Sequence, residues 1–180
     1  MKLEVTAFLV LLCGSAVAQQ LQQPYAGLET RAIKSLSEQQ IGDLSAGRGM
    51  GLALAAELNG YPGPSHAIEL ASQLGLSADQ VEKLRQLFAA MKAETIPIGA
   101  TLIEQERGLN QDFARHTITL ASLETSTRDI GATQAALRAA HLKYHLSTVA
   151  VLTPAQIKRY DELRGYTSNT QPAHQHQMHQ

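Results

Sequence analysis

His141 and His145, the two ends of the stretch HLKYH, stand four residues apart. On a helix that spacing puts both imidazoles on adjacent turns of one face, where they can reach a single ion. Zinc peptidases use the same spacing but place a glutamate directly after the first histidine as general base. Leu142 stands there in this chain, so the peptidase chemistry fails. Serine-type hydrolysis also lacks its nucleophile-elbow motif. Cys13 is the only cysteine and falls in a leader-like stretch, which removes disulfides, thiolate metal sites and cysteine nucleophiles from the mature chain. No enzyme is expected. Two readings stay open for the pair: both residues hold a metal ion, or His141 is a buried packing residue bonded to a backbone carbonyl, with His145 its exposed neighbour.

A second group of donors closes the chain. The run HQHQMHQ contributes His174, His176, Met178 and His179. It is expected to chelate copper, nickel or zinc weakly, because ordering such a segment around an ion costs conformational entropy.

The elements that position these residues read as helical throughout. Apolar residues recur at spacings of three and four with few β-branched runs, which makes the fold class all-α. Three helix starts share one grammar: Leu36-Ser37-Glu38-Gln39-Gln40, Leu76-Ser77-Ala78-Asp79-Gln80 and Leu152-Thr153-Pro154-Ala155-Gln156. In each, the hydroxyl of Ser37, Ser77 or Thr153 caps the helix, and Gln40, Gln80 or Gln156 reaches back to the cap's own amide. The preceding leucine serves as a hydrophobic staple, and Pro154 is preset for the first helical position.

From the second box, Val81, Leu84, Phe88, Met91, Thr95, Ile98, Leu102, Gln105 and Leu109 form a seam on a helix over 77–116, about 60 Å long at 1.5 Å per residue. Pro97 is expected to bend it. A second seam runs through Leu120, Leu123, Thr127, Ile130, Gln134, Leu137, His141, Tyr144, Thr148 and Val151. The two helices, joined near Thr117 to Thr119, are expected to form a long antiparallel hairpin. Ahead of it, Tyr61-Pro62-Gly63-Pro64 breaks the chain and a short helix is expected from Ser65 to Gly75. Gly47, Gly51 and Ala55, four apart, read as a smooth helix face rather than a phosphate loop, since no strand precedes them and the Gly-x-Gly-x-x-Gly spacing fails.

Residues 1–18 have the layout of a secretory signal peptide: Lys2, an apolar run from Val5 to Cys13, and Ala16-Val17-Ala18 as cleavage site. The division expected is therefore 1–18 signal peptide, 19–35 N-terminal extension, 36–166 helical domain and 167–180 disordered His-rich tail. An exported, cysteine-free mature chain suits the periplasm. The net charge of −1 gives no case for nucleic acid. No other apolar run approaches the roughly 18 residues of a spanning helix, so no stable membrane insertion is expected.

The three boxes, the export signal and the central hairpin together resemble the Spy/CpxP family, whose LTxxQ motif is matched best by Leu152-Thr153-Pro154-Ala155-Gln156 and next by Leu76-Ser77-Ala78-Asp79-Gln80. The resemblance covers about residues 36–166. It implies a cradle of four to five helices, usually a homodimer, acting in envelope stress. Its members act as ATP-independent chaperones for unfolded proteins, as metal-binding sensors or resistance proteins, or as regulators of an envelope stress sensor. Metal-binding members complete their site from neighbouring helices; by that likeness the further ligands here are His66, Glu69, Glu57 and Met50, from the segment that crosses the hairpin. Histidine with methionine favours copper or nickel, and histidine with glutamate favours zinc, cobalt or nickel. None of these ions is expected to be required for folding.

Overall fold

A computed structural model of the chain describes residues 24–166. Cys13, the Ala16-Val17-Ala18 site and the tail donors His174, His176, Met178 and His179 lie outside the described residues. Within them a 3-10 turn, Leu28–Thr30, precedes six helices: α1 Glu38–Ser45, α2 Leu54–Glu57, α3 Pro64–Glu69, α4 Ala78–Ala114, α5 Leu120–Val149 and α6 Pro154–Arg164. The described residues contain no strand, and no helix among them is long and apolar enough to cross a membrane.

Each long element begins where a cap demands it. Ser37, Ser77 and Thr153 are extended N-cap residues, each closed by the glutamine three positions on. Thr119 opens α5 with a fourth box, in which Ser122 takes the role of the glutamine. The Ser at N3 hid it from a search for the Leu-[Ser/Thr]-x-x-Gln pattern. α4 continues through Pro97 without ending.

α4 and α5 pack along each other, and α1, α2 and α3 pack against that pair. Opposed contacts run in reverse order: Gln80 meets Val151, while Glu94 meets Lys143 and Tyr144. One core joins Ile33, Leu36 and Leu44 to Leu102, Ile103, Ile130 and Leu137. A second, around Ala67, Leu84 and Leu152, seats α3 and the start of α6. Between them, buried Thr95 and Thr148 bond back to the carbonyls of Met91 and Tyr144, both at 2.8 Å, so neither hydroxyl is stranded.

Three expectations need correction. Gly47 and Gly51 have φ of 63° and 80°, so they turn the chain in the left-handed region instead of forming a helix face with Ala55. The helix after the Pro-Gly-Pro breaker stops at Glu69, and turns carry the chain to Gly75. In the second seam, Leu120, Thr127 and Gln134 are exposed. Gln134 lines a large cavity beside Leu36 and Leu44 and so stays in contact with solvent.

The two best-matched boxes are locked to each other. Gln80 Nε2 donates to Gln156 Oε1 at 2.8 Å and to Val151 O at 2.9 Å, and Gln156 Nε2 donates back to Gln80 Oε1 at 3.2 Å. Each Oε1 also accepts from its own N-cap amide, Ser77 N at 3.0 Å and Thr153 N at 2.9 Å. The glutamine of the motif thus caps one helix and clamps two. Replacing either with alanine is expected to cost about 1–3 kcal/mol, by stranding part-buried partners and losing a cap. A double-mutant cycle by urea unfolding checks this: coupling above about 0.5 kcal/mol is expected, whereas strict additivity contradicts the clamp.

Candidate functional site

The candidate site lies between the two cores, at the level of Met91 on α4 and His141 to His145 on α5. Both α5 histidines are buried, at 2% and 8% exposure, so His145 is not an exposed neighbour of His141. The loop from Gly60 to Gly63 crosses over them, and its carbonyls need donors. His145 Nδ1 donates to Tyr61 O at 2.6 Å. A carbonyl can only accept, so Nδ1 carries a proton, and in the neutral ring the lone pair is then on Nε2.

His66 on α3 is set in the same way by a different group. Its Nδ1 donates to Glu57 Oε1 at 3.3 Å, which again leaves Nε2 as the basic nitrogen. His141 has no described hydrogen bond, and its buried Nε2 is without a partner. Burial and the neighbouring His145 push the His141 imidazole below its ordinary value, which keeps it neutral at neutral pH. The three imidazoles line one cavity of about 450 Å³, with Ser65, Phe88, Met91, Arg48 and Lys92 among the other walls.

Glu57 stands behind this cavity and is fully engaged. Oε1 accepts from Tyr160 Oη, from Tyr166 Oη at 3.1 Å and from His66, while Oε2 accepts from Gly63 N at 3.2 Å. Arg164 Nε lies 3.7 Å from Oε1 and His145 Nδ1 3.8 Å from Oε2. Burial pushes the Glu57 carboxyl up. The hydrogen bonds from His66, Tyr160 and Tyr166, together with the charge that His66 carries when protonated, outweigh it and hold the group at about 2. Burial and Glu57 together push the Tyr160 phenol up, so it remains a donor at any ordinary pH.

Of the ligands suggested by sequence, His66, His141 and His145 are therefore brought together, and Glu57 sits one bond behind His66. Met50 and Glu69 are elsewhere. Met50 lines a separate, larger cavity with Leu36, Leu44 and Leu52, and exposed Glu69 accepts from Ser65 Oγ at 3.2 Å. As the side chains stand, no three His, Cys, Asp or Glu residues among those described form a group that could hold a metal ion. Metal-binding imidazoles characteristically donate their second N–H to a carboxylate or carbonyl, as His66 and His145 do here.

Sequence reasoning did not find Met91, Lys92 or Arg48 in the wall, nor Tyr160, Tyr166 and Arg164 behind it. Met91 was legible only as a seam position. Tyr160, Arg164 and Tyr166 lie about a hundred positions from Glu57, and no local spacing connects them.

An all-helical chain whose LTxxQ boxes are clamped glutamine to glutamine beside a histidine-lined cavity is a protein of the LTxxQ class. The family described as LTXXQ motif family protein matches residues 65–164, and the chain belongs to it, with the Spy/CpxP-type proteins. No curated protein and no solved structure matches the chain.

Proposed function

We propose that this chain is a periplasmic envelope-stress protein, exported by its N-terminal signal, that binds a transition-metal ion and serves in heavy-metal tolerance or sensing. It acts without catalysis, as a homodimer of cradles built on the α4–α5 hairpin. Nε2 of His66 and His145 are the primary ligands, with His141 as the third. Zinc, nickel, cobalt and copper suit imidazole donors, and Met91 in the wall adds softness that favours copper. The observation that carries the reading is the preset tautomer of His66 and His145, each with Nδ1 tied to an oxygen and Nε2 left basic within one cavity. Export is supported by Lys2, the apolar run from Val5 to Cys13 and Ala16-Val17-Ala18.

Calorimetric titration with each of the four ions tests it. His66→Ala/His145→Ala is expected to lose on the order of 100-fold in affinity, and a chain ending at Tyr166 is expected to keep the site. Equal affinity and stoichiometry in the double variant would overturn the reading. Loss only in the shortened chain would move the site to His174, His176, Met178 and His179.

A second reading, a metal-independent holdase for unfolded proteins, is favoured by one feature. A cavity of about 900 Å³ is lined by half-buried Leu52 and exposed Met50 above the buried Leu36, Leu44, Leu102 and Leu137, with Gln39, Gln134 and Arg138 among its polar walls. An apolar surface with a polar rim suits transient capture of unfolded chains. Suppression of a client's aggregation that a chelator leaves unchanged is its signature.

A further inference from the structure

We infer that the face of α4 around Asn110 is a binding site for short apolar segments of unfolded polypeptide, and that the chain's own residues 31–36 occupy it as a strap. The site rests on the holdase reading of the function and needs no metal. Its basis is the way the strap is held. Leu36 N donates to Ile33 O at 3.1 Å, which closes a turn, and both side chains enter one core with Leu102, Ile103, Ile130 and Leu137. Ile33 and Leu36 are buried, whereas Ala32, Lys34 and Ser35 beside them are exposed. Two apolar side chains three positions apart therefore anchor the segment.

The polar contacts around Ile33 read backbone. Asn110 Nδ2 donates to Ala32 O at 3.4 Å, and Asn110 Oδ1 accepts from Lys34 N at 3.3 Å. One carboxamide thus takes the carbonyl before Ile33 and the amide after it, groups that every residue but proline carries. Ser35 Oγ adds a bond to Glu106 Oε2 at 2.7 Å, at an exposed position. What the site asks of a segment is an apolar residue, free backbone on either side of it and a second apolar residue three on. Unfolded proteins offer that pattern many times. Beyond Leu36 the site opens into the cavity of about 900 Å³ that Leu36, Leu102 and Leu137 help to line, so a longer segment has room to continue. Because strap and incoming segment compete for one site, the apparent affinity for the segment is reduced by the fraction of time the site is open.

A fluorescent peptide with the sequence of residues 29–38, added in trans and followed by anisotropy, probes the site. The protein variant Ile33→Ser/Leu36→Ser, which releases the strap, is expected to bind it about ten-fold tighter than the wild type, and Asn110→Ala in that variant to lose most of the gain. A control peptide carrying the same two serines is expected not to bind. A second variant leaves the apolar anchors intact: Ser35→Cys/Glu106→Cys, in the chain from Gln19, which has no other cysteine. Bridged by a short bis-methanethiosulfonate, it is expected to lose peptide binding and several-fold of its suppression of a client's aggregation, and dithiothreitol is expected to restore both. Peptide binding equal in the bridged and released forms, or equal for the control peptide, overturns the inference. Aggregation suppressed equally with the bridge in place overturns it and leaves the holdase reading standing. Peptide binding without any suppression overturns the holdase reading and leaves the site. A bridge that forms between two copies instead of within one assigns the site to a second copy's strap and overturns its assignment to unfolded chains.

Discussion

Glu57→Gln is expected to lower folding stability by about 3 kcal/mol at neutral pH, a fall of roughly 10 °C in Tm. The carboxylate is 6% exposed and ties α2 to α3 through His66, to the loop through Gly63 N, and to the C-terminal end of α6 through Tyr160, Tyr166 and Arg164. An amide keeps the shape but not the charge. Its NH₂ would face hydroxyls and a ring N–H that already point their protons inward, so buried donors would be left facing donors. Tyr160 is fully buried and has no route to water, which makes it the worst placed of them.

The same carboxylate sets an acid limit. A group held at about 2 against an ordinary 4.5 contributes on the order of 3 kcal/mol to the folded state. Because the folded value is the depressed one, this stabilisation is complete above the unfolded value and drains away as pH falls through 4.5 toward 2. Urea unfolding between pH 7 and 2 reads it directly. The wild-type curve is expected to fall over that window more steeply than the Glu57→Gln curve, the two converging near the acid end. Parallel curves would mean that Glu57 is not the group responsible.

Gly63→Ala is expected to damage the site more than its size suggests. A Cβ at Gly63 would stand 2.9 Å from His145 Cε1 and 3.1 Å from Nε2, the atom proposed as a metal ligand. The imidazole cannot yield easily, because Nδ1 is held by Tyr61 O at 2.6 Å. The backbone cannot either, since Pro62 and Pro64 flank the glycine and are themselves fully buried. Overpacking of this kind costs about 1–3 kcal/mol, and displacement of Nε2 should weaken metal binding by roughly ten-fold or more. Gly49→Ala is the control: its Cβ would lie 3.8 Å from His141 Nδ1, an ordinary contact, and little change in either quantity is expected.

The helices were legible because their signals are local. A Ser or Thr with a Gln three residues on fixes a helix start within one turn, and the long seams of α4 and α5 announce their length and partner. The segment between Ala46 and Gly75 was not, because its shape depends on where glycine takes positive φ. A spacing of four between Gly47 and Gly51 looks the same in a helix and in successive left-handed turns. For the site, the His141–His145 pair and His66 could be picked out by residue type and helical spacing. Glu57 could be picked out too, but as a ligand; its role behind His66 depends on Tyr160 and Arg164 arriving from α6 and Tyr166 from just beyond it, a long-range meeting that no periodicity encodes. The clamp between Gln80 and Gln156 is of the same kind, since each glutamine reads completely as a local cap.

We propose that the chain binds a metal ion through Nε2 of imidazoles whose Nδ1 protons are already fixed. Long-range ¹H–¹⁵N NMR of the imidazole nitrogens, recorded on the full chain with and without one equivalent of zinc, tests it most directly. Before zinc, His66 and His145 are predicted to be Nδ1–H tautomers; with zinc, their Nε2 resonances move and their Nδ1 protons stay. Zinc that leaves both residues unchanged, or that shifts only His174, His176 and His179, would contradict the account.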